Sequence, residues 1–183
     1  MILVQNRDVQ VNTACGSTAT YTMNKENIPV ELSERNRWVK RTSYKHGGKG
    51  WNTPKNWHSL DDLDGDAMFV TTDTDLLVFD ADHVVNDKGE WIPEAKEDYE
   101  RIREAGGPTY EESSVSDHGR HLIYDNAEYP DEPLSPIKIR YPEYENWAGD
   151  GFTPQIEIWY AAKHCFRITG KITTSSSDRV MGG

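Results

Sequence analysis

The segment Leu76-Leu77-Val78-Phe79-Asp80-Ala81-Asp82-His83 constrains the fold of this chain more than any other. An apolar run of that length between polar stretches reads as a buried strand, and it ends in two aspartates two residues apart. The period of two along a strand sets both carboxylates on the same side. Anions that close repel, more strongly as water is lost, so a buried pair is tolerated only with a cation between them. Hard oxygen ligands select Mg²⁺ or Mn²⁺. Taken alone, the motif reads equally well as a strand end with solvated aspartates.

Two further motifs follow. Ser114-Val115-Ser116-Asp117-His118-Gly119-Arg120-His121 is a Ser/Gly turn running into apolar Leu122-Ile123-Tyr124. Donors and positive charge at its mouth suit a phosphate, although an ordinary hairpin turn with a surface His gives the same pattern. In Gln155-Ile156-Glu157-Ile158-Trp159-Tyr160, the two isoleucines face one way and Glu157 shares the other face with Gln155 and Trp159. A carboxylate in such a strand costs stability unless it is paired, ligated or at a cleft, or lies on an outer, solvated face.

The surrounding pattern predicts an α+β domain. A short helical stretch runs from Pro29 to about Arg35, and Arg37 to Thr42 alternates like a strand. Tyr44 to Asn56 is a Gly-studded loop, and Ser59 opens a short acidic helical turn. Strands are expected over Ala67 to Thr72 and Leu76 to Ala81, with Asp73-Thr74-Asp75 as a hairpin-length link. The best helix starts at Pro93 and stops at Gly106-Gly107, with Ala95, Tyr99 and Ile102 on its apolar face. Strands then predominate: Thr109 to Glu112, His121 to Tyr124, Ile137 to Tyr141, Gln155 to Tyr160 and Cys165 to Thr169. One long helix among many strands, with little βαβ alternation, fits α+β better than a doubly wound sheet. Residues 1–24 read as a flexible arm, 25–172 as the domain and 173–183 as a flexible tail.

At 183 residues the chain can bury roughly two-thirds of its unfolded surface. Cys15 and Cys165 are too few for an all-cysteine zinc site or a disulfide framework, which points to a reducing, cytoplasmic setting. No apolar run approaches the ~18 residues of a membrane span, and the start lacks the apolar region of a secretory signal. The net charge of −11 excludes a tight, non-specific grip on phosphate backbones, but it is uneven. Residues 25–58 carry eight Lys and Arg against three Glu, net +5, whereas residues 61–112 carry four against 17 acids, net −13. A basic N-terminal face beside an acidic site fits weak, salt-sensitive nucleic-acid binding.

In their order and flanks the three motifs resemble the archaeo-eukaryotic primase superfamily, especially primase-polymerase domains of phages, plasmids and mobile elements. That pattern is an apolar strand with D-x-D, a Ser/Gly turn ending in x-H, and an apolar strand with one acid. Ile28-Pro29 with Arg37-Trp38-Val39 is similar to the opening of such domains. Trp57-His58-Ser59-Leu60 is similar to their T-W-x-S-F stretch, and Phe166-Arg167-Ile168-Thr169-Gly170 to their closing F-T-x-T-G. The likeness covers about residues 28–170. It implies an RRM-like antiparallel sheet carrying the acids, packed with a smaller N-terminal αβ unit, with the cleft between them. The implied activity is template-directed nucleotidyl transfer, joining dNTP or NTP to a 3′-hydroxyl on a DNA template and primer. Asp80, Asp82 and Glu157 would hold two divalent ions, Mg²⁺ or Mn²⁺. His121 would touch the triphosphate with Ser116 and Arg120 beside it, and Lys49, Lys55, Lys163 and His164 are further candidate nucleotide contacts. Two positions depart from the pattern: Asp117 stands where relatives usually carry Gly, and His164 where an Arg is frequent. The resemblance also implies a catalytic core belonging to a longer primase-helicase, or one that does not prime by itself. Two other functions fit the motifs, a nucleotide-sugar glycosyltransferase using D-x-D, and a non-catalytic replication-initiator or single-strand-binding module.

Overall fold

In the computed structural model, residues 23–41, 50–64, 67–71, 76–106, 109–124, 137–160 and 164–173 are described. Among them the elements run α1 (Val30–Ser33), β1 (Trp38–Lys40), β2 (Ala67–Thr71), β3 (Leu77–Asp82), α2 (Pro93–Gly106), β4 (Tyr110–Ser113), β5 (Arg120–Tyr124), β6 (Ile137–Arg140), β7 (Gln155–Tyr160) and β8 (His164–Phe166). The class is α+β, as expected, with every strand pair antiparallel. A five-stranded sheet has the order β4-β5-β3-β7-β6, and a three-stranded sheet the order β1-β2-β8.

The apolar run with its two aspartates is the middle strand of the large sheet. Alternation divides its side chains cleanly. Leu77, Phe79 and Ala81 pack with Leu122, Tyr124 and Ile156 on one face, which α2 covers through Ala95 and Tyr99. Each fully buried Leu, Ile or Phe there contributes about 1.5–3 kcal/mol. Val78 and Ile123 point the other way and pack with Trp38, Phe69 and Phe166 of the small sheet and with Leu32 of α1. The acid-bearing face is therefore the one that meets the small sheet.

The expected β2–β3 hairpin is absent. The two strands lie in different sheets, and β2 pairs with β1 and, across the length of the domain, with β8. All five residues of β2 are buried, so both of its faces are covered; a hairpin with β3 would leave the small sheet without its centre. The helical turn expected after Ser59 is only a turn, because Ser59 Oγ bonds the Asp62 carboxylate at 2.8 Å instead of a helix N–H. The final strand is shorter than expected and ends at Phe166. At the N-terminal boundary, Met23 is buried in the core and Asn24 N–H bonds Thr169 O at 3.0 Å, so these two residues of the expected arm belong to the domain. That contact requires Gly170: its φ is 70°, and a Cβ there would lie 2.1 Å from Asn24 O. Among the described residues no helix is long and apolar enough to cross a membrane.

Candidate functional site

Strand register, more than any single motif, builds the site. Glu112 on β4 is the cross-strand partner of His121 on β5. His121 is the partner of Asp80 on β3, Asp80 of Glu157 on β7, and Glu157 of Lys138 on β6. One row of ionisable side chains thus crosses all five strands at the inter-strand spacing of about 4.8 Å. Read along the row, the charges are acid, imidazole, acid, acid, base. Every junction joins opposite partners except Asp80–Glu157, where two carboxylates stand directly opposite, and Asp82 lies on the same face two residues on. Like charges so placed destabilise a sheet.

Contacts along the row follow that order. Glu112 is fully buried and accepts bonds from Tyr110 Oη (2.8 Å), Thr169 N (2.8 Å) and Gly170 N (2.8 Å). Its other oxygen meets His121 Nδ1 at 2.7 Å, leaving His121 Nε2 3.4 Å from Asp80 Oδ1. Burial alone would lower the pKa of His121, but the Asp80 charge and the contacts with Asp80 and Glu112 outweigh it and hold it well above the ordinary value, favouring the charged ring. At the other end Lys138 Nζ pairs with Glu157 Oε1, which also accepts from Gln155 Nε2 at 2.9 Å. Asp80 Oδ1 is buried with no hydrogen-bond partner.

The row opens into a cleft of about 420 Å³ between the two sheets. Asp80, Asp82, Glu157, His121, Ser116 and His164 all line it, so the structure gathers six of the residues singled out from sequence. His164 stacks on Trp159 with centroids 3.9 Å apart and planes at 15°. Burial keeps its pKa below the ordinary value, although Asp80 and Glu157 pull the other way, favouring the neutral ring. Arg120 is not brought in. As the neighbour of His121 it falls on the opposite sheet face, where its guanidinium lies over Trp91 and bonds Asp117 O and Gly119 O. Lys55 is exposed on a single 3₁₀ turn and does not line the cleft. Lys49 and Lys163 lie outside the described residues.

The Ser/Gly turn approaches the site closely. A Cβ on Gly119 would lie 2.6 Å from Ala81 O, so only glycine lets the β4–β5 connection sit against β3. Asp117 has φ 65°, a conformation that glycine adopts without cost, and its carboxylate is paired with Lys171 Nζ at 3.0 Å. The additional anion is thereby neutralised within the fold.

Glu112, Lys138 and Lys171 were not singled out from sequence. Glu112, between Glu111 and Ser113, lacks the alternation that marks Glu157, whereas Lys138 between Ile137 and Ile139 shows it. For Lys171 no local signal exists, because only a return of the chain from residue 170 brings it in.

Donor chemistry in the cleft fits a hard divalent cation: carboxylate oxygens, among them the buried Asp80 Oδ1, held only by the loose 3.4 Å ion pair with His121. The side chains do not converge as they stand, since no three His, Cys, Asp or Glu among the described residues are grouped closely enough to hold a metal. Compared with protein-family models and with curated proteins, the sequence matches none.

Proposed function

We propose that this chain is a template-directed nucleotidyltransferase of the primase-polymerase kind, acting on a DNA template and primer with dNTP or NTP. One observation carries the reading: in a row otherwise matched in charge, the only like-charged junction is Asp80–Glu157, beside Asp82 and facing the cleft. The central position of the acid-bearing strand in an antiparallel sheet, with the smaller sheet across the cleft, supports the RRM-like architecture that the sequence resemblance implies.

Asp80, Asp82 and Glu157 would hold two divalent ions, Mg²⁺ or Mn²⁺, whose chemistry when bound is to activate the 3′-hydroxyl and offset charge on the leaving pyrophosphate. The protein's own groups position the reactants. His121, its Nδ1 fixed by Glu112, presents Nε2 as a charged donor toward phosphate oxygens. The Ser116 hydroxyl lies on the same wall of the cleft. Lys138, paired with Glu157 at the end of the row, would add positive charge beside the acids.

Primer extension on a labelled primer-template, with dNTPs or NTPs and Mg²⁺ or Mn²⁺, tests the proposal. Wild type extends the primer and the Asp80→Ala/Asp82→Ala protein does not; extension by the double variant rejects the assignment. A second reading, a non-catalytic nucleic-acid-binding module, is favoured by the Lys138–Glu157 pair, which satisfies Glu157 without metal. Its signature is binding of the same primer-template that is indifferent to Mn²⁺, with no extension.

A further inference from the structure

The geometry points to Phe152, stacked on His83, as a platform for a nucleobase at the rim of the cleft. The ligand class rests on the nucleotidyl-transfer reading above, while the platform stands on the backbone and ring geometry beyond β3. Alternation along β3 would send His83 to the far face with Ala81. Instead its φ is 57°, a conformation that non-glycine residues adopt rarely, and the ring lines the same cleft as Asp80 and Asp82. Strained backbone of this kind gathers at ligand sites.

A single carboxylate then ties the two rings together. Asp150 Oδ2 lies 2.5 Å from His83 Nδ1, while Asp150 Oδ1 accepts the backbone N–H of Phe152 at 3.2 Å. Phe152 O accepts Asn146 N–H at 3.0 Å, and Asn146 Oδ1 accepts Gly151 N–H at 2.7 Å. These backbone bonds help to place the phenyl ring. It stacks on His83 with centroids 4.7 Å apart and planes at 16°, yet remains 51% exposed. Three other large apolar side chains are comparably exposed among the described residues, Val30, Ile137 and Ile172, and none of them lines the cleft.

A flat, preorganised aromatic surface one residue beyond a metal-type carboxylate matches a nucleotide whose phosphates lie toward His121 and Ser116. The cleft, at about 420 Å³, falls within the size range of small-ligand sites. Stacking also tolerates any base, as a template-directed enzyme needs. The base has two possible sources, the incoming nucleotide or the nucleic-acid strand.

Two fluorescent probes separate the sources: 2-aminopurine deoxyriboside triphosphate, and an oligothymidylate carrying one 2-aminopurine. Wild type is expected to quench at least one probe on binding. Phe152→Ala should lose that quenching and bind the same probe about tenfold more weakly, and Phe152→Trp should restore both. An unchanged thermal melt shows that each variant is folded. A response from the triphosphate assigns the platform to the incoming base, one from the oligonucleotide to the strand, and either supports it. Quenching and affinity unchanged in Phe152→Ala, or no quenching of either probe by wild type, overturns it. Primer extension keeps the two readings apart. Extension with Phe152-independent quenching removes the platform alone; Phe152-dependent quenching without extension keeps it and removes nucleotidyl transfer.

Discussion

Two neighbouring rows on one face of the large sheet have opposite characters. Tyr110, Ile123, Val78 and Trp159 form an apolar row across β4, β5, β3 and β7, and they pack into the core shared with the small sheet. Two residues further along the same strands lie Glu112, His121, Asp80 and Glu157, extended by Lys138 on β6. The first row closes the interface between the sheets and the second holds it open as a cleft. One face of one sheet thus supplies both adhesion and a charged cleft, and the step between them is a single strand period of about 7 Å. The apolar row should govern stability and the centre of the charged row should govern activity.

Breaking the centre of the charged row should have the largest effect. In Asp80→Ala/Asp82→Ala, extension should fall to the level of the no-protein control. Stability in metal-free buffer should change little, because relief of the Asp80–Glu157 repulsion offsets loss of the Asp80–His121 ion pair. A large drop in denaturant midpoint would mean that these acids are structural and that the two rows do not differ as described.

The outer end of the charged row should behave differently from its centre. Glu112 is fully buried among four donors, so Glu112→Ala leaves a cluster of unsatisfied groups and should cost about 4 kcal/mol in chemical denaturation. Glu112→Gln, which keeps the shape and an acceptor, should cost less. Within the apolar row, Ile123→Ala creates a cavity at a site 2% exposed and should cost about 3 kcal/mol. Below its lowered melting temperature that variant should extend primers like wild type, which Glu112→Ala should not, since its His121 has lost its anchor.

The same contrast separates what was legible in the sequence from what was not. Period-two patterning found β3, β5 and β7, put Asp80 and Asp82 on one side of their strand and set Glu157 on the face opposite Ile156 and Ile158, because each assignment needs only local alternation; register is what sets Glu157 against Asp80. Helix α2 was legible through its Pro start, Gly stop and the buried pair Ala95 and Tyr99. Sheet membership was not. Asp73-Thr74-Asp75 carries a good local hairpin signal, yet β2 joins β8 about 95 residues away, and that choice is made by which surfaces need covering, not by turn chemistry. Arg120 failed for the opposite reason: proximity in sequence to His121 outweighed the alternation that turns it away. Glu112 stands between these cases, visible as an acid in a strand but meaningful only once register sets it against His121.

Lys138 offers the finest test, because it joins the charged row to solvent. Its side chain is 38% exposed and its partner Glu157 is buried. A pair this open contributes little to stability, so Lys138→Met should shift the unfolding free energy by no more than about 1 kcal/mol. The functional consequence is larger than the structural one. On the proposed reading the ammonium would compete with a divalent ion for the same Glu157 oxygen, and removing it leaves the Asp80–Glu157 repulsion offset only from the His121 side. Mn²⁺ binding followed by electron paramagnetic resonance should therefore tighten in Lys138→Met, while extension at saturating Mn²⁺ should slow if the freed lysine serves the phosphates. Unchanged Mn²⁺ affinity would show that Glu157 is not a metal ligand and would confine the metal site to the two aspartates of β3.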